Sequence, residues 1–357
     1  MGKATLRLNL YPNMDLFQLE AQDKQEWDEF VYQEPAASVY HLWGWKEALE
    51  TTFNHTIYYL CARERGQIIG GLPLLHISSR ISGPFITSMP GGVCASNEQA
   101  AFGLIEKAKE LTRSRRAKYL ILRDSPQKWN VPELLTNEDH CTALVNLSDG
   151  SEKVWRNVKK RARQLTNQAT RAGLQVAAGP AALEEFYPIY LQAMRDKGTP
   201  TLGLRFFRKV AAHLPEHFNF LMIRREEQIL GGGFFAPFRD TIYCTWGGML
   251  RQYYDLHPNH LLYWETIKFG LEHSYQWVDL GRSLRDSGGY IFKMNWGAQP
   301  KTLYQQYYLN GITRPPLVGS SLARESRIGR VINFWKKLPL PITEIIGPVL
   351  RKRMPFG

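Results

Sequence analysis

The chain has 357 residues, 44% of them apolar and 22% charged, and a formal charge of +12. That is the make-up of a soluble globular protein with room for two domains, each able to bury its own core, and no apolar run approaches the roughly 20 residues of a membrane span. Cys61, Cys94, Cys141 and Cys244 stand singly, which argues against a cysteine metal site or a disulfide frame and for a reducing, cytosolic setting. The polar start Met1-Gly-Lys-Ala-Thr does not read as a signal peptide. The positive excess suits nucleic acid, an acidic membrane face or a polyanionic metabolite, and equally a plain basic surface.

A short strand is expected at Leu6–Leu10, then helices over Asp23–Val31 and Gly44–Thr52. Ile57–Gly71 reads as an apolar strand, a charged turn and a second strand entered through paired glycines, the pattern of a hairpin. A glycine- and proline-rich connection follows over 80–92. A helix is expected over Ala100–Arg116 and strands over Lys118–Arg123 and Thr142–Leu147. Ser151–Gly173 has helical spacing, with Ser151 as N-cap and Gly173 beyond the last turn. Val154, Val158, Ala162, Leu165, Ala169 and Ala172 share one face, and Arg156, Lys159, Lys160, Arg161, Arg163 and Arg171 supply the rest. The helix reads either as a core element with a solvated back or as a phosphate track.

Phe218–Gly232 then repeats Ile57–Gly71 without a gap, 161 residues later: Leu60/Leu221, Arg63/Arg224, Gln67/Gln228, Ile68/Ile229, Gly70/Gly231 and Gly71/Gly232 are identical. A period this long indicates two homologous domains rather than a solenoid. We divide the chain into 1–150, 151–312 and a tail, 313–357. The second copy is expected to run helix 183–197, helix 204–213, hairpin 218–235, strand 240–249, helix 258–273, strand 276–281 and a strand near 303–309, an α/β arrangement with hairpins in mixed sheets. The tail is proline-broken, basic and rich in Ile, Val, Phe and Trp. It reads as an interfacial membrane segment or as a strap across the domain.

The chemistry concentrates at Trp277–Gly297, where a strand ending Asp279-Leu-Gly281 enters a polar glycine loop before Tyr290-Ile-Phe-Lys293 and Trp296. Lys293 among aromatics reads either as a cation aimed inward or as a snorkelling lysine at a strand end. Asp279 reads as a base, a cap or an ion-pair partner. His213/His217 and His257/His260 lack a third ligand, so no metal is expected. Gly231-Gly-Gly233 lies inside a hairpin and is no dinucleotide loop.

Gly289-Tyr-Ile-Phe-Lys-Met-Asn-Trp-Gly297 resembles the FK motif of the FemAB-type aminoacyltransferases of the GNAT superfamily. Leu261–Glu265, Val278–Ser283, Gly198-Thr-Pro200 and Leu72–Gly92 are similar to the branch found with exosortase/PEP-CTERM and exopolysaccharide systems. The resemblance spans about residues 40–340 and implies two tandem GNAT-like domains. It implies acyl transfer to an amine without metal or covalent intermediate, Lys293 stabilising the oxyanion with Phe292 beside it. It implies an acceptor pocket near Trp45, Lys46, Gly198, Thr199, Pro200, Tyr290, Trp296 and Arg282. Donor contacts are expected at Asn259, His260, Lys159, Lys160 and Arg163, the helix start near Asn259 being suited to a phosphate. No tightly bound cofactor is expected. The donor is aminoacyl-tRNA, favoured, or acyl-CoA, and the acceptor a lipid-linked or glycan precursor at the inner membrane, with no DNA involved. A non-catalytic protein binding tRNA or glycolipid is the reading from another class.

Overall fold

The computed structural model describes residues 14–79, 83–179, 183–315 and 326–354. The strand expected at Leu6–Leu10 and the tail stretches 316–325 and 355–357 lie outside the described residues. The first half runs β1 (Met14–Gln18), α1 (Lys24–Gln33), α2 (Gly44–Phe53), β2 (Thr56–Glu64), β3 (Gln67–Ile77), β4 (Phe85–Ser88), β5 (Cys94–Ala95), α3 (Glu98–Ser114), β6 (Tyr119–Ser125) and β7 (Leu134–Asn146). Helices α4 (Ser151–Asn157) and α5 (Lys160–Arg171) follow. The second half repeats the order: β8 (Gln175–Ala178), α6 (Leu183–Lys197), α7 (Leu204–His213), β9 (Asn219–Arg225), β10 (Gln228–Phe238), β11 (Thr241–Met249), α8 (Pro258–Glu272), β12 (Trp277–Asp279), β13 (Ser283–Leu284), α9 (Gly288–Met294) and β14 (Gln299–Leu309). The tail carries α10 (Ser326–Trp335) and α11 (Leu340–Arg351).

One mixed sheet holds both halves in the order β1-β2-β3-β4-β6-β14-β7-β12-β11-β10-β9-β8, with β5 on β3 and β13 on β7. In each half one strand pair is parallel, β4 with β6 and β11 with β12, joined by α3 and α8 respectively. The last strands are exchanged: β7 pairs with β12 of the second half, and β14 with β6 of the first. The β7–β14 ladder therefore sits at the centre and locks the halves together. Helices α1 and α2 face α6 and α7 over a shared apolar layer built from Trp27, Trp43, Trp45, Tyr59, Phe186, Phe206, Phe207 and Phe234. Aromatic side chains of this size bury enough area to dominate the core.

Three expectations change. The paired glycines sit inside β3 and β10 rather than at a strand entrance. A Cβ at Gly71 would stand 2.1 Å from Trp27 Cη2, so the bare backbone leaves room for the rim of the indole against the strand. The single helix expected over 151–173 breaks at Val158–Lys159, where the Lys159 N–H donates to the Asn295 carbonyl at 2.8 Å. Gly150, not Ser151, is the N-cap, while Gly173 does take a left-handed φ of 78° after the last turn.

The tail lies across α6 and the loop before α7. A Cβ at Gly203 would meet Pro348 at 2.9 Å, and one at Gly347 would meet Thr201 at 3.1 Å. Trp335 is buried, yet Phe334 and Ile345 remain 66% and 73% exposed. Among the described residues no helix is long and apolar enough to cross a membrane.

Candidate active site

Beyond the parallel register Tyr243↔Asp279, β11 and β12 part. The gap opens into a cavity of about 1250 Å³ bounded by both halves. From the first half come Ser38, Tyr40, Pro90, Gly91, Arg123 and Asp124, and from β7 Thr142; the second contributes Gly233–Phe235, Tyr243–Gly247, Tyr263, Asp279–Arg282 and Lys293.

Asp279 ends β12 and is held by its own turn. One carboxylate oxygen accepts from the Gly281 N–H at 2.7 Å and from the Thr142 hydroxyl. Burial raises its pKa above the ordinary carboxylate value, against the pull of those hydrogen bonds and of Lys293. Gly281 takes φ +81°, and a Cβ there would come within 3.0 Å of the Cys244 carbonyl, so the strand can turn away from β11 only without a side chain.

The chain then folds into α9, capped by Ser287, whose hydroxyl accepts from the Tyr290 N–H at 3.2 Å. Tyr290–Lys293 is thus helical, not a strand, and the lysine is no strand-end snorkel. Lys293 Nζ donates to the carbonyls of Gly281 at 2.7 Å and Arg282 at 3.0 Å. An ammonium has three N–H donors; two are spent on fixing its position, leaving one for a substrate oxygen. Burial lowers its pKa, with Asp279 the main opposing influence. Helix α9 is seated by Phe292 and Trp296, whose rings pack on Tyr263 and His260 of α8. Phe292 and Trp296 therefore support the lysine from behind and do not line the cavity.

Tyr40 and Tyr243 line the cavity with ring centroids 6.2 Å apart. Burial raises both phenols well above their ordinary pKa, with Asp279 adding to the effect, so each remains a hydroxyl. Burial likewise pushes the Cys244 thiol up to about 12, an inert state for a nucleophile.

Asp279, Arg282 and Lys293 are thus brought together at the cavity, and other expected positions are not. Trp45 is buried behind the wall, donating to the Val39 carbonyl at 2.8 Å, with its ring tilted against Tyr40 and edge-on to Trp246. Lys46 is tied to Glu50 at 2.5 Å on the outside of α2. Gly198, Thr199 and Pro200 do not line the cavity either; a Cβ at Gly198 would strike Ile332 of the tail at 2.5 Å. Tyr290 lies on α9 away from the opening.

Asn259 and His260 stand in the first turn of α8, which has a left-handed His257 at its N-cap and no side-chain cap. Burial pushes His260 down to about 4. Lys159, Lys160 and Arg163 lie at the start of α5, which packs against α8.

Sequence reasoning missed Tyr40, Arg123, Asp124, Thr142 and Tyr243. One signal existed. Leu122-Arg-Asp-Ser125 and Leu280-Gly-Arg-Ser283, each at the end of the second strand of a parallel pair, share their leucine and serine and carry Asp124 and Arg282 at matching places.

Residues 152–294 match the model of the acetyltransferase (GNAT) domain. In three dimensions the chain is similar to FemX, at 14% identity and a TM-score of 0.63, over 83% of this chain and 97% of that one. It is similar to L-PGS from Bacillus licheniformis at 12% identity and a TM-score of 0.57, over 91% and 97%. A tandem GNAT protein from the clavulanic acid biosynthesis pathway follows at 10% identity and a TM-score of 0.53, over 84% and 100%. The sequence matches no curated protein. The fold is that of two tandem GNAT-like halves, as the repeat and the resemblance lead one to expect.

Proposed function

We propose that the protein transfers an acyl group from an activated anionic donor to an amine, in the cavity between the parting strands β11 and β12. The observation that carries this is the fixed Lys293: two backbone carbonyls hold its ammonium at the cavity wall with one N–H to spare. When an amine attacks a thioester or ester carbonyl, negative charge gathers on oxygen. A cation already in place stabilises that charge without reorganising. Asp279, whose pKa burial raises, is a stronger base than an exposed carboxylate and is placed to accept the proton that the attacking amine must lose. Tyr40 and Tyr243 add neutral hydroxyls to the cavity wall.

An acyl-CoA is the donor we favour. The GNAT match covers α8, whose first turn has no side-chain cap and leaves the Asn259 N–H for a pyrophosphate, the His260 and Leu261 N–H groups being taken by the His257 carbonyl. The second reading, aminoacyl-tRNA, is supported by the exposed basic surface at Lys159 and Lys160 beside α8. As acceptor we propose an amine-bearing envelope or glycan precursor. The tail would rest on an acidic membrane face through Phe334, Ile345 and the neighbouring Lys336, Lys337 and Lys352; equal sedimentation with neutral and anionic vesicles would sink that part.

Radiolabelled acetyl-CoA and radiolabelled aminoacyl-tRNA, offered separately in extract of the native host, test the reading. Label passing to an extractable acceptor from one donor identifies it. Label passing from neither, or passing equally well with Lys293→Ala, overturns the reading in favour of a non-catalytic binding protein.

A further inference from the structure

Arg123 is a charged side chain at the cavity wall with part of its charge unmet. It lies near the end of β6, its side chain is 5% exposed, and Nη1 is buried without a hydrogen-bond partner among the described residues. Its Nη2 reaches Asp124 at 3.3 Å. Arg282 Nε lies 3.0 Å from the same carboxylate as an ion pair without hydrogen-bond geometry, and Gln305 Nε2 donates to it at 3.3 Å. Two guanidinium groups, one from each half, thus converge on a single carboxylate that cannot satisfy both forks. Burying an unpaired charged donor is costly, and the structure keeps this one beside an open cavity.

The position of the pair says what it reads. Arg123 and Arg282 lie on the side of the cavity that the first half builds, with Pro90, Gly91 and Pro126. The donor, on the acyl-transfer reading on which this inference rests, enters from β11 and α8. Lys293 stands between the two directions, because it holds the Arg282 carbonyl itself. An anion gripped by Arg123 and Arg282 therefore belongs to the acceptor.

We infer that Arg123 and Arg282 form an anion subsite that selects an acceptor carrying a carboxylate or phosphate near its amine. A guanidinium fork binds either group through two parallel charge-assisted hydrogen bonds. Asp124 pre-orients both arginines and competes with the ligand for them.

Calorimetric titration of the intact protein tests the subsite with no donor present, so failure of acyl transfer and failure of the subsite are seen separately. The probes are O-phosphoethanolamine, β-alanine and ethanolamine: an amine with a phosphate, with a carboxylate and with neither. At least one of the first two binds saturably and ethanolamine does not; which of them binds tells phosphate from carboxylate. Arg123→Gln weakens that binding about 10- to 100-fold, Arg123→Lys weakens it less, and Asp124→Asn strengthens it. If Arg123→Gln does not fold, the partly exposed Arg282→Gln takes its place. Absence of saturable binding by both anionic amines, equal binding of ethanolamine, or unchanged affinity in the arginine variants would overturn the inference.

Discussion

The two halves are built on one plan, and only the second opens a cavity at its parallel strand pair. In the first half the gap past β4 and β6 is stitched shut: the Arg123 N–H donates to Ser88 Oγ at 2.8 Å, and the Gly91 N–H to the Arg123 carbonyl at 3.1 Å. Its crossover helix α3 is capped by its own Asn97, which accepts from the Ala100 N–H at 2.9 Å. In the second half Gly281 lets the strands separate, Lys293 occupies the rim, and α8 begins without a side-chain cap. The duplicated fold has closed one cleft and left the other open, with Arg123 and Asp124 at the end of the closed one forming part of the open one's wall.

The sharpest way to break this comparison is to delete a lysine from each half. Lys293→Ala is expected to lower transfer by about 10²- to 10³-fold, the loss typical of one preorganised oxyanion donor, with the protein still folded. Lys128, exposed and paired with Glu138 in the corresponding loop of the first half, should be replaceable by Ala with transfer within about twofold. Comparable losses in both variants would mean that the halves share the chemistry.

A smaller effect comes from pH, and it falls on both halves. Burial pushes His41, in the first half, and His260, in the second, down to about 4. The unfolded chain takes up each proton near the ordinary 6.5, so stability is whole above that value and is lost as pH falls toward 4. His41 alone accounts for up to about 3 kcal/mol. Denaturant midpoints measured from pH 7 to 4 should fall steadily; a flat profile would contradict the burial argument. The smallest effect sharpens the contrast between helix starts. Asn97→Ala should cost about 1 kcal/mol of stability and leave transfer untouched, which separates the self-capped end from the working one.

Much of this was legible in the sequence, and for physical reasons. Hairpin grammar and the paired glycines are local, so the repeat showed the duplication directly. Asp279, Arg282 and Lys293 fall within one short stretch, and a strand followed by a polar glycine loop already suggests a site. What stayed hidden depends on long-range pairing. The exchange of β7 and β14 brings Thr142 to Asp279 and Arg123 to Arg282, and nothing in the local sequence announces a strand swap. Trp45 and the Gly198–Pro200 loop misled because aromatic and glycine-rich segments serve packing as readily as binding: one is core, the other a seat for the tail.

The most direct test of the central claim is hydrogen exchange with and without the donor that the extract assay identifies. The account predicts slower exchange at Cys244–Met249, at the start of α8 and at Leu280–Ser283, with the first half's Ser88–Gly92 and the start of α3 unchanged. Protection confined to those first-half positions, or absent from the β11–β12 opening, would contradict it.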